Sequence, residues 1–270
     1  MASFPDHVCV ITGAASGIGR ALALHLAQCG CHLALVDLNA DGMRDVAQQL
    51  RSPQRRVSCH VVDVADHDQM RQLPEDVLQQ HGRVDILINN AGVSLAGPFE
   101  HYSLVDLTWI IDINLWGAIY GCRYFLPIFR QRGYGYVVNI ASDFGLVGLP
   151  SKTAYCATKF AIRGFSEALR AELHGSGISV TCVYPGAVDT ELIRSSRATD
   201  PHKRDLEARF VAQRGIPLDH VAQRIVAGVA RRQARVLIGS DTYVIDLMTR
   251  FFPGLTQRLI GRFHHRLPFL

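Results

Sequence analysis

The sequence predicts an α/β fold: a single doubly wound domain, built on a parallel sheet of about seven strands with helices on both faces. Short apolar, strand-like segments alternate with helical segments along the chain. The strand-like segments are almost continuously apolar, which is typical of strands that are covered on both faces. Alternating strands and helices imply parallel strands joined by right-handed crossovers.

The apolar segments place each element in turn. The predicted strands cover residues 7–12, 31–37, 56–63, 84–89, 136–142, 178–185 and 235–239. The predicted helices cover residues 21–30, 40–51, 66–81, 104–131, 152–174 and 218–232. We therefore expect one domain over residues 1–240, with a lid over about 191–216 that closes on the ligands. Residues 241–270 form a C-terminal extension, predicted to be a helical tail.

Composition excludes several classes of protein. The chain has 270 residues, 48% of them hydrophobic and 19% charged, with a net charge of +4. No block of Lys and Arg follows one regular element, so we expect no nucleic-acid partner. No uncharged apolar segment approaches the roughly 20 residues of a membrane-spanning helix, and strand-like sequence begins at His7, where a signal peptide would lie.

The seven cysteines follow no metal-binding pattern. No Cys and His residues have the spacing of a zinc site, so we expect no metal. Several cysteines lie within strand-like segments, where a free thiol behaves as a small apolar side chain. These cysteines suit a reducing, cytoplasmic location.

A glycine-rich segment, TGAASGIG, joins the first strand to the first helix at residues 12–19. Glycines there permit a tight turn and let backbone amides approach a pyrophosphate, which a helix N-terminus also favours. The segment predicts a dinucleotide site, and a plain strand-to-helix loop is the alternative. The residues expected to contact the dinucleotide are Gly13, Ser16, Gly17, Ile18 and Gly19.

Asp37 ends the second strand and predicts the choice of dinucleotide. A carboxylate there accepts hydrogen bonds from ribose hydroxyls and repels a 2′-phosphate. No arginine stands at position 38 or at 14–16 to receive such a phosphate. We therefore expect NAD(H) in preference to NADP(H), although Arg20 or Arg44 would weaken the preference if either reached the ribose. A polar strand end is the alternative.

Tyr155 and Lys159 are four residues apart, and Ser142 precedes Tyr155 by thirteen. Residues at this spacing share one face of a helix. An ammonium beside a phenol lowers the phenol pKa from its usual value of about 10, and such a tyrosine can exchange a proton with an alcohol oxygen. A Tyr and a Lys at this spacing are also common on ordinary amphipathic helices.

Together these features resemble the short-chain dehydrogenase/reductase family, in its single-domain subgroup with a Rossmann-type fold. The matching features, in order over about residues 7–190, are TGAASGIG at 12–19, Asp37, DV at 63–64, NNAG at 89–92, Asn114, Ser142, Tyr155, Lys159 and YPG at 184–186. The resemblance implies an NAD(P)-dependent dehydrogenase or reductase that acts on CH–OH groups. It also implies that the chain forms a homodimer or homotetramer through its long helices.

The resemblance assigns roles to residues beyond the glycine-rich segment. The implied catalytic residues are Asn114, Ser142, Tyr155 and Lys159. The further implied cofactor-binding residues are Asp63, Val64, Asn90, Ala91, Gly92, Tyr155, Lys159, Pro185, Gly186, Val188 and Thr190. Ser142 would hydrogen-bond the substrate oxygen, Tyr155 would transfer its proton, and Lys159 would lower the Tyr155 pKa and hold the nicotinamide ribose. Asn114 would hold a water beside the lysine.

The segments expected to surround the substrate are apolar. They contain Val93, Leu95, Pro98, Phe99, Phe144, Leu146, Val147, Leu149, Leu192 and Ile193. We therefore expect a hydrophobic secondary alcohol or ketone of lipid, steroid or aromatic type. Two alternatives are a catalytically inactive module that senses the dinucleotide, and an NAD-dependent epimerase or dehydratase. The presence of Ser142, Tyr155 and Lys159 disfavours the first, and the short chain disfavours the second.

The tail, residues 241–270, mixes Phe, Leu and Ile with Arg and His, and acids end at Asp246. One interpretation is a helical extension packed on the domain or across a dimer. The other is a basic amphipathic segment that makes peripheral contact with an anionic membrane.

Overall fold

A seven-stranded sheet with helices on both faces forms the centre of the molecule, as the sequence predicts. The computed structural model describes residues 3–264. The strands within this range are β1 Val8–Thr12, β2 His32–Asp37, β3 Val57–Val61, β4 Ile86–Asn89, β5 Leu95–Ala96, β6 Gly135–Ile140, β7 Ile178–Pro185, β8 Arg197–Ala198 and β9 Arg235–Ile238. The helices are α1 Gly17–Gln28, α2 Ala40–Gln49, α3 His67–His81, α4 Leu104–Ile111, α5 Gly117–Arg132, α6 Thr153–Glu172, α7 Glu191–Arg194, α8 Pro201–Arg214, α9 Leu218–Ala230, α10 Ser240–Phe251 and α11 Pro253–Phe263.

The order of strands in the main sheet locates the site. It runs β3-β2-β1-β4-β6-β7-β9, and every neighbouring pair is parallel. The chain moves outward from β1 toward β3 and then returns to place β4 on the other side of β1. Such a reversal opens a crevice at the carboxyl ends of the strands, and ligands of doubly wound sheets bind there.

Alternate side chains of each central strand enter two different apolar layers. In β1, Cys9 and Ile11 pack with α1 and α9 residues, whereas Val8 and Val10 pack with α3 and α5 residues on the opposite face. Because both faces are covered, the strand is apolar throughout rather than alternating. Burying each such aliphatic side chain contributes about 1.5–3 kcal/mol, so the two layers hold the crevice walls in place.

The lid segment predicted for about 191–216 is largely ordered structure. It contains α7, the two-residue strand β8 and α8. Asp200 caps α8 by accepting hydrogen bonds from the amides of His202 and Lys203, and Pro201 occupies the first turn. Asp is a favourable N-cap and Pro suits the first helical position. That the segment closes on ligands stays a prediction.

A two-stranded parallel sheet was not predicted. It pairs β5 with β8, so that Leu95 lies opposite Arg197 and Ala96 opposite Ala198. Strands of two residues carry no periodic pattern, and these two are separated by a hundred positions. The sheet ties the loop after β4 to the lid segment.

The predicted C-terminal helical tail is present as α10 and α11. Residues 265–270 of the extension lie outside the described residues, as do Met1 and Ala2. Among residues 3–264, no helix is long and apolar enough to cross a membrane. The boundary between a domain at 1–240 and an extension at 241–270 stays a prediction.

Candidate active site

A cleft of about 540 Å³ opens at the carboxyl ends of the central strands. Most of the residues singled out from the sequence meet there. Those that line it are Gly13, Ser16, Gly17, Ile18, Asp37, Asp63, Val64, Asn90, Ala91, Gly92, Ser142, Tyr155, Lys159, Pro185, Gly186, Val188 and Thr190. Gly19 and Asn114 do not line the cleft, and both lie directly behind its wall.

Gly19 shapes the glycine loop from behind. A Cβ added to Gly19 would lie 2.0 Å from the carbonyl oxygen of Gly13, so no other residue fits. Gly13 and Gly17 have φ of +66° and +51°, a region that favours glycine. Because α1 begins at Gly17, its N-terminal amides face the cleft and suit a pyrophosphate. The loop therefore fits a dinucleotide on its geometry alone.

The resemblance implies that Asn90 binds the cofactor, and in the structure its side-chain amide also makes hydrogen bonds within the protein. Its Nδ2 donates to the carbonyl oxygens of Thr12 and Gly13 at 2.9 and 3.1 Å. The hydroxyl of Thr12 in turn accepts from the backbone amides of Asn90 and Ala91 at 3.0 Å each. These bonds fasten the end of β4 to the glycine loop, so Asn90 shapes the cradle as well as lining it.

Asp37 lies where a ribose would be recognised. Its two carboxylate oxygens accept from the amides of Ala15 and Asn39, each at 2.9 Å. Arg20 and Arg44, which could have favoured a 2′-phosphate, are engaged elsewhere. Arg20 donates to Gln49 at 2.9 Å, and Arg44 pairs with Asp41 of its own helix. Within the described residues, the hydrogen bonds of the Asp37 carboxylate come from backbone amides and none comes from a cationic side chain.

Tyr155 and Lys159 project from α6 into the cleft, and both are buried. The Lys159 Nζ lies 5.6 Å from the centre of the Tyr155 ring and donates to the Ile140 carbonyl oxygen at 3.0 Å. The expectation that Lys159 lowers the Tyr155 pKa is wrong for this structure. Burial raises the pKa of the phenol, and the carboxyl of Asp143 raises it further.

Burial also acts on the lysine. It lowers the pKa of Lys159 to about 8, which brings the ammonium closer to losing its proton near neutral pH. Its proton donor is directed at a backbone carbonyl at the end of β6. The two side chains share a helix face, as their spacing predicts, yet this spacing alone did not decide the electrostatic balance.

Ser142 carries a partner that the sequence analysis missed. Its Oγ donates to Asp143 Oδ1 at 2.7 Å, and the amide of Phe144 donates to both side chains. Burial raises the pKa of Asp143 to about 6, with Asp241 adding to the effect. An acid directly after Ser142 in the apolar segment ASDFGLVG was the available signal.

Asn114 interrupts the long helix predicted over 104–131. The chain forms a π-helical turn, Asp112–Trp116, between α4 and α5. Asn114 Oδ1 accepts from the amide of Val93 at 2.8 Å, while its Nδ2 donates to the Val93 carbonyl oxygen at 2.9 Å. Single π-helical turns of this kind are frequent at functional sites. Asn114 thus holds the loop that follows β4 against the cleft.

The surroundings of Asn114 also bring it close to the lysine. A Cβ added to Gly92 would lie 3.3 Å from Asn114 Oδ1 and 3.6 Å from Lys159 Nζ. A second, internal cavity of about 10 Å³ is lined by Asn114, Asn89 and Asn139 among others. That volume is about the size of one water molecule. A glycine at position 92 therefore keeps open the space between Asn114 and Lys159.

A buried ion pair crosses the substrate end of the cleft. Lys152, three residues before Tyr155, donates to Glu207 of α8 at 2.6 Å, and both side chains are buried and line the cleft. The pair connects the start of α6 to the lid segment. The sequence analysis missed it because the two residues are 55 positions apart and neither belongs to a motif.

The apolar lining was predicted in part. Val93, Phe144, Leu149, Leu192 and Ile193 line the cleft. The prediction is wrong for the others: Leu95, Leu146 and Val147 are buried in the core, Phe99 is exposed, and Pro98 does not line the cleft. Residues that were missed are Phe210, Val211 and Ile245, contributed by α8 and α10. Among residues 3–264, no group of three or more His, Cys, Asp or Glu side chains is arranged to hold a metal ion.

Comparison with known proteins agrees with this geometry. A family model described as short chain dehydrogenase matches residues 7–201. The chain belongs to the short-chain dehydrogenase family. A dehydrogenase of this family is an NAD(P)-dependent oxidoreductase, and a nicotinamide dinucleotide is its cofactor.

Individual relatives match this chain over almost its whole length. A Mycobacterium tuberculosis protein named as an oxidoreductase, SadH, is 38% identical over 97% of this chain and 96% of its own. The 3-ketodihydrosphingosine reductase of Mus musculus is 31% identical over 92% of this chain and 75% of its own. A short-chain dehydrogenase from Burkholderia phymatum, solved with NAD, has a TM-score of 0.88 and 27% identity, and covers 95% of this chain and 97% of its own.

Proposed function

We propose that the protein is an NAD(H)-dependent oxidoreductase that interconverts a hydrophobic secondary alcohol and its ketone, of lipid, steroid or aromatic type. One observation carries the proposal. Ser142, Tyr155 and Lys159 line the same cleft as the glycine loop, and apolar side chains surround them at the other end.

The preference for NAD(H) over NADP(H) rests on Asp37. A 2′-phosphate on the adenosine ribose would approach this carboxylate, and Arg20 and Arg44 are bonded to other side chains. The related dehydrogenase from Burkholderia phymatum was solved with NAD. The residues that would hold the dinucleotide are the glycine loop at the pyrophosphate, Asp37 at one ribose and Asp63 near the adenine.

Tyr155 is the proton donor in this proposal. Burial raises its pKa still further above neutrality, so the phenol is protonated at neutral pH and suits reduction of a ketone, with the reverse transfer in oxidation. When bound, the dinucleotide supplies or accepts the hydride. Ser142, whose hydroxyl donates to Asp143 in this structure, turns that donor to the substrate oxygen and stabilises its developing charge. Lys159 and Asn114, on either side of Gly92, complete a path by which the phenol regains its proton.

The substrate class follows from the lining. Phe144, Leu149, Leu192, Phe210 and Ile245 form an apolar wall around the reacting groups. A relative with 31% identity is named as a reductase of 3-ketodihydrosphingosine, and a similar structure with a TM-score of 0.80 is levodione reductase. Both names denote a ketone, which supports a ketone or its alcohol as the substrate here.

Two other functions are less well supported. A module that only senses the dinucleotide would not need Ser142, Tyr155 and Lys159 together at one cleft. An epimerase or dehydratase would need room for a polar sugar-like substrate, whereas this wall is apolar. A panel of ketones and alcohols that yields no net change in NADH with any member would favour these alternatives.

Tyr155→Phe tests the proposal directly. Loss of a general acid lowers kcat by about 10²–10⁴-fold, and NADH should still bind because the glycine loop is untouched. The measurements are NADH absorbance during turnover of an apolar ketone and a fluorescence titration with NADH. Tyr243→Phe, which removes the same atom from an exposed tyrosine of α10, is the control. A Tyr155→Phe variant with nearly full turnover would refute the assignment.

We also propose that the protein forms a homodimer or homotetramer through α4, α5 and α6. Ile111 of α4, Trp116 of the π-helical turn before α5 and Phe160 of α6 are large exposed apolar side chains. Light scattering after gel filtration measures the assembly, and a monomer would contradict it. All seven cysteines are free thiols, which supports a reducing compartment such as the cytoplasm as the place of action.

A further inference from the structure

The tail surface is the exposed apolar face around the junction of α10 and α11, formed by Phe251, Phe252, Leu255 and Leu259. These side chains are 70%, 55%, 50% and 40% exposed, respectively. Leu255 and Leu259, four residues apart, share one face of α11. The exposed side chains of Tyr243, Val244 and Leu247 extend the apolar stripe along α10. A concentration of exposed apolar side chains of this kind marks a site of interaction.

The charge of the tail surface indicates which kind of partner it would bind. Acids end at Asp246 in the sequence, so every charged residue beyond it is basic. Arg250 pairs with Asp246 at 3.1 Å. Arg258 and Arg262 form no ion pair with any of residues 3–264. An apolar helix face beside arginines that lack an acidic partner among residues 3–264 is complementary to an anionic lipid surface, with the apolar side chains in the acyl boundary and the guanidinium groups at the headgroups.

A second copy of the chain fits this surface poorly. In a symmetric dimer the same patch meets itself, so Arg258 and Arg262 would lie against a tail whose charged residues beyond Asp246 are also basic. No acid beyond Asp246 is available in the tail of the other copy to neutralise them. The exposed side chains of α4 and α6 offer a more neutral surface for self-association.

The tail surface adjoins the substrate end of the cleft. Asp241 and Ile245 of α10 line the cleft itself. A Cβ added to Gly148 would lie 3.8 Å from Gln257 Nε2 of α11. Gly148 belongs to the loop whose Leu149 lines the cleft. The helices that carry the exposed apolar stripe therefore also border the substrate.

We propose that α10 and α11 dock on anionic phospholipid surfaces and hold the substrate end of the cleft at the bilayer. An apolar ketone then passes from the acyl region into the cleft with little exposure to water. The docking step depends only on the tail surface, whereas the delivery step rests on the proposed function.

The docking test uses the full-length chain and vesicles. Co-sedimentation is measured with phosphatidylcholine vesicles and with vesicles that also contain phosphatidylserine, at low and high salt. Wild type should bind the anionic vesicles, and salt should weaken the binding. Arg258→Gln with Arg262→Gln should weaken it about 30-fold, because each basic residue near an anionic surface contributes about 1 kcal/mol. Leu255→Glu with Leu259→Glu should abolish it.

The matched control exchanges an exposed apolar side chain elsewhere. Val61→Glu changes a side chain that is 59% exposed on the edge strand β3, away from the helices proposed for self-association, and it should leave vesicle binding unchanged. Equal loss in this control would overturn the proposal. The proposal would also be overturned if wild type did not bind the anionic vesicles. It would equally be overturned if the tail variants changed only the oligomeric state in gel filtration, because the tail surface would then be an interface between copies of the chain.

A second readout separates docking from catalysis. Tyr155→Phe should sediment with anionic vesicles as wild type does, since docking requires no turnover. Relative to wild type, the Leu255→Glu/Leu259→Glu variant should have a kcat/KM at least tenfold lower for a vesicle-borne ketone. Its kcat/KM for a water-soluble ketone should be unchanged. Equal effects on both ketones would refute delivery. Wild type inactive on both ketones would refute the proposed function while leaving the docking result standing.

Discussion

The dinucleotide half of the cleft is built largely from backbone, whereas the substrate half is built from side chains that lie far apart in the sequence. The glycine loop, the N-terminus of α1 and the end of β4 form the first half, and Asn90 fastens them together. The second half depends on Lys152 and Glu207, on Asp143 and on apolar residues of α8 and α10. The first half can therefore be recognised from short segments, and the second cannot.

The electrostatics of the two halves differ as well. The Asp37 carboxylate accepts hydrogen bonds from two backbone amides at the rim of the cleft and is only half-buried. In the substrate half, burial dominates: it raises the pKa of Tyr155, raises that of Asp143 to about 6, and lowers that of Lys159 to about 8. Desolvation thus moves three groups toward their neutral forms where the substrate would react.

The largest expected effect lies in the ion pair of the substrate half. Lys152→Met leaves Glu207 buried without a partner and should lower the free energy of unfolding by about 3–5 kcal/mol. Adding Glu207→Leu should recover most of the loss. Urea unfolding measures both variants. Arg163→Met, which breaks a more exposed pair with Glu167, should cost about 1 kcal/mol or less. Equal losses of unfolding free energy for Lys152→Met and Arg163→Met would contradict the distinction between a buried and an exposed ion pair.

Gly19→Ala should disrupt the dinucleotide half of the cleft. A Cβ 2.0 Å from the carbonyl oxygen of Gly13 must distort the loop, and strain of this kind should weaken NADH binding about 100-fold. Fluorescence titration with NADH measures it. Gly164→Ala on α6, where an added Cβ meets no atom within 4 Å, should leave the affinity unchanged. If Gly19→Ala bound NADH normally, the dinucleotide half would not depend on backbone shape.

Asp143→Asn tests the burial of charge near Ser142. The pKa of Asp143 is raised from 3.8 to about 6, so the stability that its protonated form contributes is complete below pH 3.8 and is lost as pH rises through about 6. Asn cannot ionise and keeps that stability. The variant should match wild type at pH 4 and exceed it by about 2–3 kcal/mol at pH 8.

Urea unfolding at the two pH values measures this difference. Asp143 faces Asp241, Tyr155 and Cys156, and none of these is changed in the variant. Asp45→Asn, at an exposed position of α2, should give the same small difference at both pH values. A gain for Asp143→Asn that does not vary with pH would show that burial does not hold this carboxyl neutral.

The smallest expected effect concerns the choice of dinucleotide. Asp37→Asn removes the charge that repels a 2′-phosphate and should shift the ratio of the NADPH and NADH dissociation constants about tenfold toward NADPH. Asp63→Asn should change both constants by the same factor, since Asp63 faces the adenine end of either dinucleotide. Titration with NADH and with NADPH measures the two dissociation constants. An unchanged ratio for Asp37→Asn would contradict the role of Asp37 in selectivity.

Particular elements show how far sequence reasoning reached. All seven strands of the main sheet were predicted because each is an apolar segment followed by a turn. The helix over 104–131 was predicted as continuous, yet Asn114 opens a π-helical turn by bonding to Val93 in a loop 21 positions earlier. β5 and β8 were missed for the same reason: their pairing is decided across a hundred residues.

The sequence by itself determined the order of strands and helices, the glycine loop and the shared helix face of Tyr155 and Lys159, because these follow from local periodicity and from the backbone freedom of glycine. Tertiary structure alone decided the pairing of Lys152 with Glu207, the raised pKa of Tyr155 and the contribution of α8 and α10 to the lining of the cleft. The reason is physical. Burial and its electrostatic consequences depend on which distant groups exclude water from a side chain. The residues next to that side chain in the sequence do not indicate which groups these are.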